Sequence, residues 1–328
     1  MMRAVVIEQY GGPENLQLKE VPRPELPEDE LLVKVAFAGV NRADIMQRKG
    51  LYPPPPGVSE IPGLEVAGTV VACGKKCSDW KVGERVFGLL AGGGYAEYVT
   101  IHKDMAWRIP EEMAFFEAAA IPEAFLTAFQ ALVWIARLRE GETVLVHAGG
   151  SGVGTAAIQI ARSVGANVGV TAGSEEKLRR CRQLGANWAI NYKAGPFTAR
   201  LLKETDGRGV DVVVDFIGKA YFEQNLEVLK TDGRLVFLAM MSGSVVEQLD
   251  LKVLMKKRLQ ITGSTLRNRS LAYKIELAQD FARWALPLFE DKQMKPVIDK
   301  IFPAELAAEA HRYMEANLNF GKILLQFE

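Results

Sequence analysis

Residues Val146 to Ala161 read "VHAGGSGVGTAAIQIA", a small-residue turn that directly follows an apolar strand and directly opens an apolar helix. That order points the unpaired N–H groups of a helix N-terminus at the turn, which is how folds of this kind hold a phosphate. Gly149 fills the first slot of the dinucleotide fingerprint and Gly154 the third, with Gly152 and Val153 between the middle slot and the third. The middle slot holds Ser151, which is small and can donate its hydroxyl to a phosphate. A glycine-rich turn also ends strands for steric reasons alone, so its weight comes from its surroundings. Downstream, "TVLVHA", "NVGVTA", "WAINY", "VDVVVDFI", "RLVFLA" and "LQITGST" are strand candidates, separated by helical patterns such as 152–164 and 174–184. These strands are nearly all apolar, as strands become when helices cover both faces of a sheet. They predict an α/β fold with a parallel, doubly wound sheet, and the quoted turn belongs to its first βα unit.

The end of the second strand decides which nicotinamide dinucleotide fits. An NAD-specific site carries Asp or Glu about 20 residues past the turn, to accept from the ribose hydroxyls. Here the sequence is "TAGSEEK": Gly173 leaves no carboxylate, Ser174 is an N-cap residue, and Lys177 falls in the first turn of the next helix. A lysine there opposes the helix dipole unless an anion is near. A charge-assisted bond to a 2′-phosphate, about 1.5–3 kcal/mol, gives roughly ten- to hundredfold preference for NADPH. In the alternative reading Glu175 and Glu176 already satisfy the dipole and Lys177 points to water. Tyr192, at the end of the third strand, either packs on the adenine or caps the sheet.

Before this region, residues 31–109 alternate short β-rich runs ("LLVKVAFA", "EVAGTVVA", "ERVFGLL", "YAEYVTI") with Gly and Pro, the pattern of a β-rich, partly barrel-like domain. The run "AFFEAAAIPEAFLTAFQALVWIARL" has the apolar density of buried helix. After about Ser270 an amphipathic helix, the strand "KPVIDKIF", another helix from about Pro303 and "GKILLQF" return to mixed character. The economical division is a nucleotide-binding domain over 125–266, inserted into a first domain made of 1–124 and 267–328. Pro53 to Pro56 stiffen a loop.

The chain has 328 residues, 48% hydrophobic and 24% charged, with 40 basic and 40 acidic side chains. The charges cancel, so no general field recruits nucleic acid or an anionic membrane surface, and phosphate recognition has to be local. Cys73, Cys77 and Cys181 are too few, and odd in number, for a disulfide framework. No secretory or membrane-spanning segment is visible, and a cytoplasmic protein is expected.

The run "GETVLVHAGGSGVGTAAIQIAR" resembles the signature of the zinc-independent quinone oxidoreductases of the medium-chain dehydrogenase/reductase superfamily, the zeta-crystallin group. The likeness continues through "GGPENL", "GVNRADIMQRKGLYPPPP", "IPGLEVAG", "GGGYAEYVT", "AAAIPEAFLTAFQAL" and "EAHRYMEANLNFGKI", essentially the whole chain. Within the group, "HAGGSGVGTAAIQ", "VTAGSEEKL" and "YMEAN" are most similar to the p53-inducible quinone oxidoreductase branch. The resemblance implies a GroES-like β-rich catalytic domain beside a Rossmann NADPH-binding domain, a homodimer paired through the nucleotide domains near "GRLVFLAMM" and "LQITGST", and no bound metal. Zinc enzymes of the superfamily carry cysteine where this chain has Asn41, and histidine where it has Leu64 before Glu65. "CGKKC" has no second pair, and His102, His147 and His311 lie far apart.

Without a Lewis acid, alcohol oxidation lacks a means of handling the alkoxide. A quinone asks for less: it is electron-poor, and the protein need only align the reactants and donate hydrogen bonds to its oxygens. The resemblance places Asn41, Asp44 and Tyr52 around a nicotinamide and substrate cleft between the domains. Tyr52 is the expected proton source or, alternatively, an apolar lid; Asn41 and Asp44 fix the nicotinamide ribose and the local hydrogen bonds. Thr127 is similar to a threonine near the nicotinamide, and Leu238 and Met240 line the cleft or simply pack the core. The function implied is NADPH-dependent reduction of ortho- or para-quinones. The alternatives are reduction of enones or 2-enoyl thioesters, and an NADPH-binding structural protein with negligible turnover.

Overall fold

In the computed structural model, which describes residues 1–328, the chain divides into two units, Met1–Leu126 with Arg267–Glu328, and Thr127–Leu266. The first unit begins with an antiparallel hairpin of β1 (Met2–Ile7) and β2 (Leu16–Val21). β3 (Glu30–Val40) buries Leu31, Val33 and Val35 in alternation, the period of a strand with one covered face. It is followed by α1 (Arg42–Arg48), β4 (Glu65–Cys73), β5 (Arg85–Leu89), β6 (Tyr98–His102) and β7 (Ala106–Arg108), then by α2 (Phe115–Ala119) and α3 (Pro122–Phe129). The apolar run expected as buried helix is therefore broken. Pro122 has no N–H with which to continue α2, yet its fixed φ suits the first turn of α3. Past Phe129 the winding loosens into a π-helical stretch, 130–135.

The second unit is built from β8 (Thr143–Val146), α4 (Gly152–Ser163), β9 (Asn167–Ala172), α5 (Glu175–Leu184), β10 (Trp188–Asn191), α6 (Phe197–Glu204), β11 (Val210–Asp215), α7 (Phe222–Val228), β12 (Leu229–Phe237), α8 (Leu251–Lys257) and β13 (Gln260–Gly263). Its sheet runs β10-β9-β8-β11-β12-β13, every neighbouring pair parallel. This is the doubly wound order that six apolar strands predict. Val144, Leu145, Val146, Val212, Val213 and Val214 in the two central strands are all at 0% exposure, because helices close both faces.

The remainder of the first unit comprises α9 (Leu271–Glu290), β14 (Ile298–Pro303), α10 (Ala307–Glu315) and β15 (Lys322–Gln326). β15 pairs antiparallel with the second half of β3 and parallel with β14, completing a sheet of order β14-β15-β3-β4-β5-β7 with β6 on the first half of β3. β3 thus draws the unit together, with β4 along one edge and β6 then β15 along the other. No helix is long and apolar enough to cross a membrane.

Candidate active site

Glu65 opens β4 with no exposed surface. A carboxylate so placed costs several kcal/mol unless it is paired and hydrogen-bonded, and this one is saturated. Its Oε1 accepts from Asn41 Nδ2 at 2.8 Å and from the ammonium of Lys322. Its Oε2 accepts from the backbone N–H of Glu123 at 2.8 Å, which also satisfies a donor at the start of α3. Lys322, the first residue of β15, is itself only 3% exposed. Besides Glu65, its Nζ donates to Asn41 Oδ1 at 2.7 Å and to the Val40 carbonyl at 3.3 Å. Three donors meet three acceptors, so the buried cation has no unmet proton.

Asn41 and Asp44 stand together, joined through the Asn41 backbone N–H and the Asp44 carboxylate. Asp44 is at 0% exposure. Its Oδ2 accepts from the Asn41 backbone N–H at 2.8 Å and from the Tyr95 hydroxyl at 3.1 Å; its Oδ1 accepts from the Gly63 N–H at 3.1 Å. Burial raises the carboxyl to about 6, against the pull of those N–H groups and of Lys322. Asp44 is enclosed, with both carboxylate oxygens hydrogen-bonded within the protein. Asn41, 8% exposed, likewise spends both ends of its amide on Glu65 and Lys322. Behind them, His311 Nε2 lies 3.2 Å from the Tyr95 hydroxyl, and its Nδ1 lies 3.4 Å from Arg48. Arg48 grips Glu315 with two bonds, 2.9 and 3.1 Å. Burial and Arg48 push His311 down to about 3, so the ring is neutral, with Nδ1 as acceptor from Arg48 and Nε2–H directed to the tyrosine.

Tyr52, half-buried, stands beside Arg267 and near Glu123. The Arg267 guanidinium lies 5.5 Å from its ring centre and donates to its carbonyl at 3.4 Å and to that of Ala91 at 2.7 Å. The Nη2 of Arg267 is buried without a partner. Burial, with Glu123 adding to it and Arg267 opposing, raises the Tyr52 phenol above its ordinary range, so it holds its proton more tightly than a free tyrosine. Glu123 itself, missed in the sequence, is raised to about 8, first by burial and then by the charge of Glu65, with Lys322 and Arg267 opposing.

In the second unit the residues of the quoted turn fit a dinucleotide. A Cβ on Gly149 would lie 2.7 Å from Val170, and one on Gly154 2.4 Å from the Ala148 carbonyl oxygen, so the turn packs too closely for larger residues. Ser151 is the N-cap of α4: its Oγ accepts from the Gly154 N–H at 2.9 Å. The N–H groups of Gly152 and Val153 precede the first helical bond, from Thr155 N to the Ser151 carbonyl, and are the donors an anion would take. Ser174 caps α5, its Oγ accepting from the Lys177 N–H at 3.3 Å. Gly173 has a second cause: a Cβ there would meet the Tyr192 hydroxyl at 2.6 Å. Tyr192, 43% exposed, thus stands against the end of β9 beside the α5 N-terminus, edge-on to Tyr221. Leu238 and Met240 lie just past β12, with Met240 43% exposed. Thr127 is on α3, one helical turn after Glu123 and on the same face. His147 lies at the end of β8, fully buried between Thr171 (2.9 Å) and Asn225 (2.7 Å), a core residue. No three His, Cys, Asp or Glu side chains are grouped to hold a metal.

Comparison with known proteins follows this division. Residues 27–111 match the alcohol dehydrogenase GroES-like domain and residues 152–285 the zinc-binding dehydrogenase family. Human quinone oxidoreductase is 34% identical over 316 residues, 95% of this chain and 93% of that protein. Among solved structures, an NAD-dependent alcohol dehydrogenase is 35% identical, with a TM-score of 0.88 and full coverage of both chains. A mycobacterial protein complexed with NADPH is 29% identical (TM-score 0.89, both chains covered fully). CurK enoyl reductase is 28% identical (TM-score 0.89, covering 100% of this chain and 99% of that one). Two-domain sequence match, parallel nucleotide-binding sheet and β-rich partner unit agree, and the chain belongs to the zeta-crystallin-like quinone oxidoreductase family of medium-chain dehydrogenases/reductases, oxidoreductases that use a nicotinamide cofactor.

Proposed function

We propose that the protein is an NADPH-dependent quinone reductase that works without a metal, on ortho- or para-quinones. The observation that carries this reading is the position of the Lys322 ammonium. It binds Asn41, which stands at the zinc enzymes' cysteine position, and Glu65, which follows their histidine position. A protein cation therefore neutralises the carboxylate beside those positions, and its charge disfavours a divalent ion there. Bound NADPH supplies hydride to an acceptor that is already electron-poor. The Gly152 and Val153 N–H groups and Ser151 receive the pyrophosphate, Gly149 and Gly154 allow its close approach, and Ser174 and Lys177 take the 2′-phosphate that Gly173 leaves unopposed. Tyr192 flanks the adenine, and Thr127, Leu238 and Met240 bound the nicotinamide end. Asn41 and Asp44 hold the polar cluster in shape, and Tyr52 encloses the acceptor.

The test follows loss of reduced-nicotinamide absorbance with an ortho-naphthoquinone, comparing NADPH with NADH, each with and without a chelator. Chelator-insensitive turnover favouring NADPH is expected. Preference for NADH, as the similarity to an NAD-dependent enzyme allows, would reject the assignment at "TAGSEEK". The likeness to CurK favours a second reading, reduction of 2-enoyl thioesters, which the same assay with enoyl substrates separates. Tight NADPH binding with no turnover on either class would indicate a structural role.

For the homodimer we propose β13 as the pairing edge. β12 has strands on both sides, so the free edge of that end of the sheet belongs to β13, all four of whose residues are exposed. Exposed Met240, Met241, Val245, Leu251 and Met255 accompany it. Three unpaired cysteines suit a cytoplasmic setting.

A further inference from the structure

Among the acids of the first unit's polar cluster, Asp44, Glu65 and Glu315 all have hydrogen-bonded carboxylates. The carboxyl of Glu123 has no hydrogen-bond partner in the protein, and the residue as a whole is partly buried. Its backbone is nevertheless pinned, because its N–H is bonded to Glu65. Around the free carboxyl stand Glu65 from β4, Asp44 from α1, Lys322 from β15, Arg267, Lys274 from α9 and the Tyr52 phenol. The side chain also shares a face of α3 with Thr127.

We propose that Glu123 is the proton donor of the reduction, its carboxyl giving its proton to an oxygen of the quinone. The proposal rests on the quinone reductase reading above. Two electrons and one hydrogen reach the quinone as the hydride that NADPH loses in becoming NADP⁺. The resulting hydroquinone anion takes a proton as the O–H bond of Glu123 breaks and a new one forms on its oxygen. The carboxylate left behind recovers its proton from solvent once the product has left. Burial beside the negative Glu65 and Asp44 holds the acid up to about 8, so it is protonated at neutral pH yet releases its proton readily. Tyr52, whose phenol is raised, is the weaker donor of the two.

Two measurements test this. The first is the pH dependence of kcat with NADPH and an ortho-naphthoquinone. Activity of the unsubstituted enzyme should fall as pH rises through about 8. In Glu123→Gln that alkaline fall should vanish and kcat should drop about 100-fold, with KM little changed, while Tyr52→Phe should keep the fall. The second is the melting temperature of the protein without cofactor. A raised acid pKa means that the native state binds the extra proton between about 4.5 and about 8, so this group costs stability as pH rises through that window. Glu123→Gln lacks that cost, and its advantage in melting temperature over the unsubstituted protein should widen across the window. A flat profile in the unsubstituted enzyme, an alkaline fall retained in Glu123→Gln, or a gap that does not widen would overturn the proposal. Absence of quinone turnover by the unsubstituted enzyme would instead overturn the quinone reading and the proposal with it.

Discussion

Glu65 carries one negative charge between two unlike neighbours. Lys322 pairs with it, and Glu123, first through burial and then because it would add a second negative charge beside it, keeps its proton. One buried carboxylate thereby stands between a lysine that pairs with it and a glutamic acid that it helps to keep neutral. The proposed preference for NADPH rests on a different single residue. Lys177→Ala should reduce the preference for NADPH over NADH roughly ten- to hundredfold, through weaker NADPH binding with NADH unaffected; titration of both nucleotides measures it, and an unchanged ratio rejects the phosphate role. Asn41 and Asp44 could be singled out in the sequence because they sit in one contiguous motif. Glu123 and Lys322 were not, since their meaning lies in contacts between segments far apart in sequence. A signal existed: each is the lone charge in an apolar run, "AAAIPEAFLTAF" and "FGKILLQF". Such a charge has to be paired, or neutral, once the run is buried.

The elements of the second unit follow from period and punctuation. Its strands were legible as near-continuous apolar runs, α4 as a helix opened by the glycine-rich turn and α5 as one announced by Ser174; in the structure Ser151 and Ser174 both cap through their hydroxyls. The hairpin of β1 and β2 was not: β2 buries only Leu16 fully and reads as polar chain. Nor was the interruption at Pro122 drawn from an uninterrupted apolar density. At the sheet edge, β13 has four exposed residues, including Ile261 at 37%. An exposed edge is a template for pairing with another strand. Ile261→Lys should therefore shift the protein from dimer to monomer in size-exclusion chromatography with light scattering, at unchanged helix content; a monomer before substitution would remove β13 as the interface.

Over the whole molecule, the second unit is one continuous stretch, whereas the first is assembled from both ends of the sequence. The division into a β-rich and a parallel α/β part was readable from the change in pattern, since strands alternate with helices in only one of them. What could not be read is which residues the return of the chain completes. β15 supplies the antiparallel partner for Phe37–Val40 in β3 and delivers Lys322 to Glu65 across 257 positions. On the ribosome, Glu65 therefore emerges long before its cation, and the second half of β3 waits with an open edge while the second unit is already able to close. The nascent chain carries a folded nucleotide-binding unit tethered to an unfinished one, an interval in which a chaperone has an exposed strand to hold. Pulse proteolysis of a chain lacking residues 320–328 should find the stretch 127–266 protected and the remainder cut; uniform protection would mean that β15 closes nothing essential.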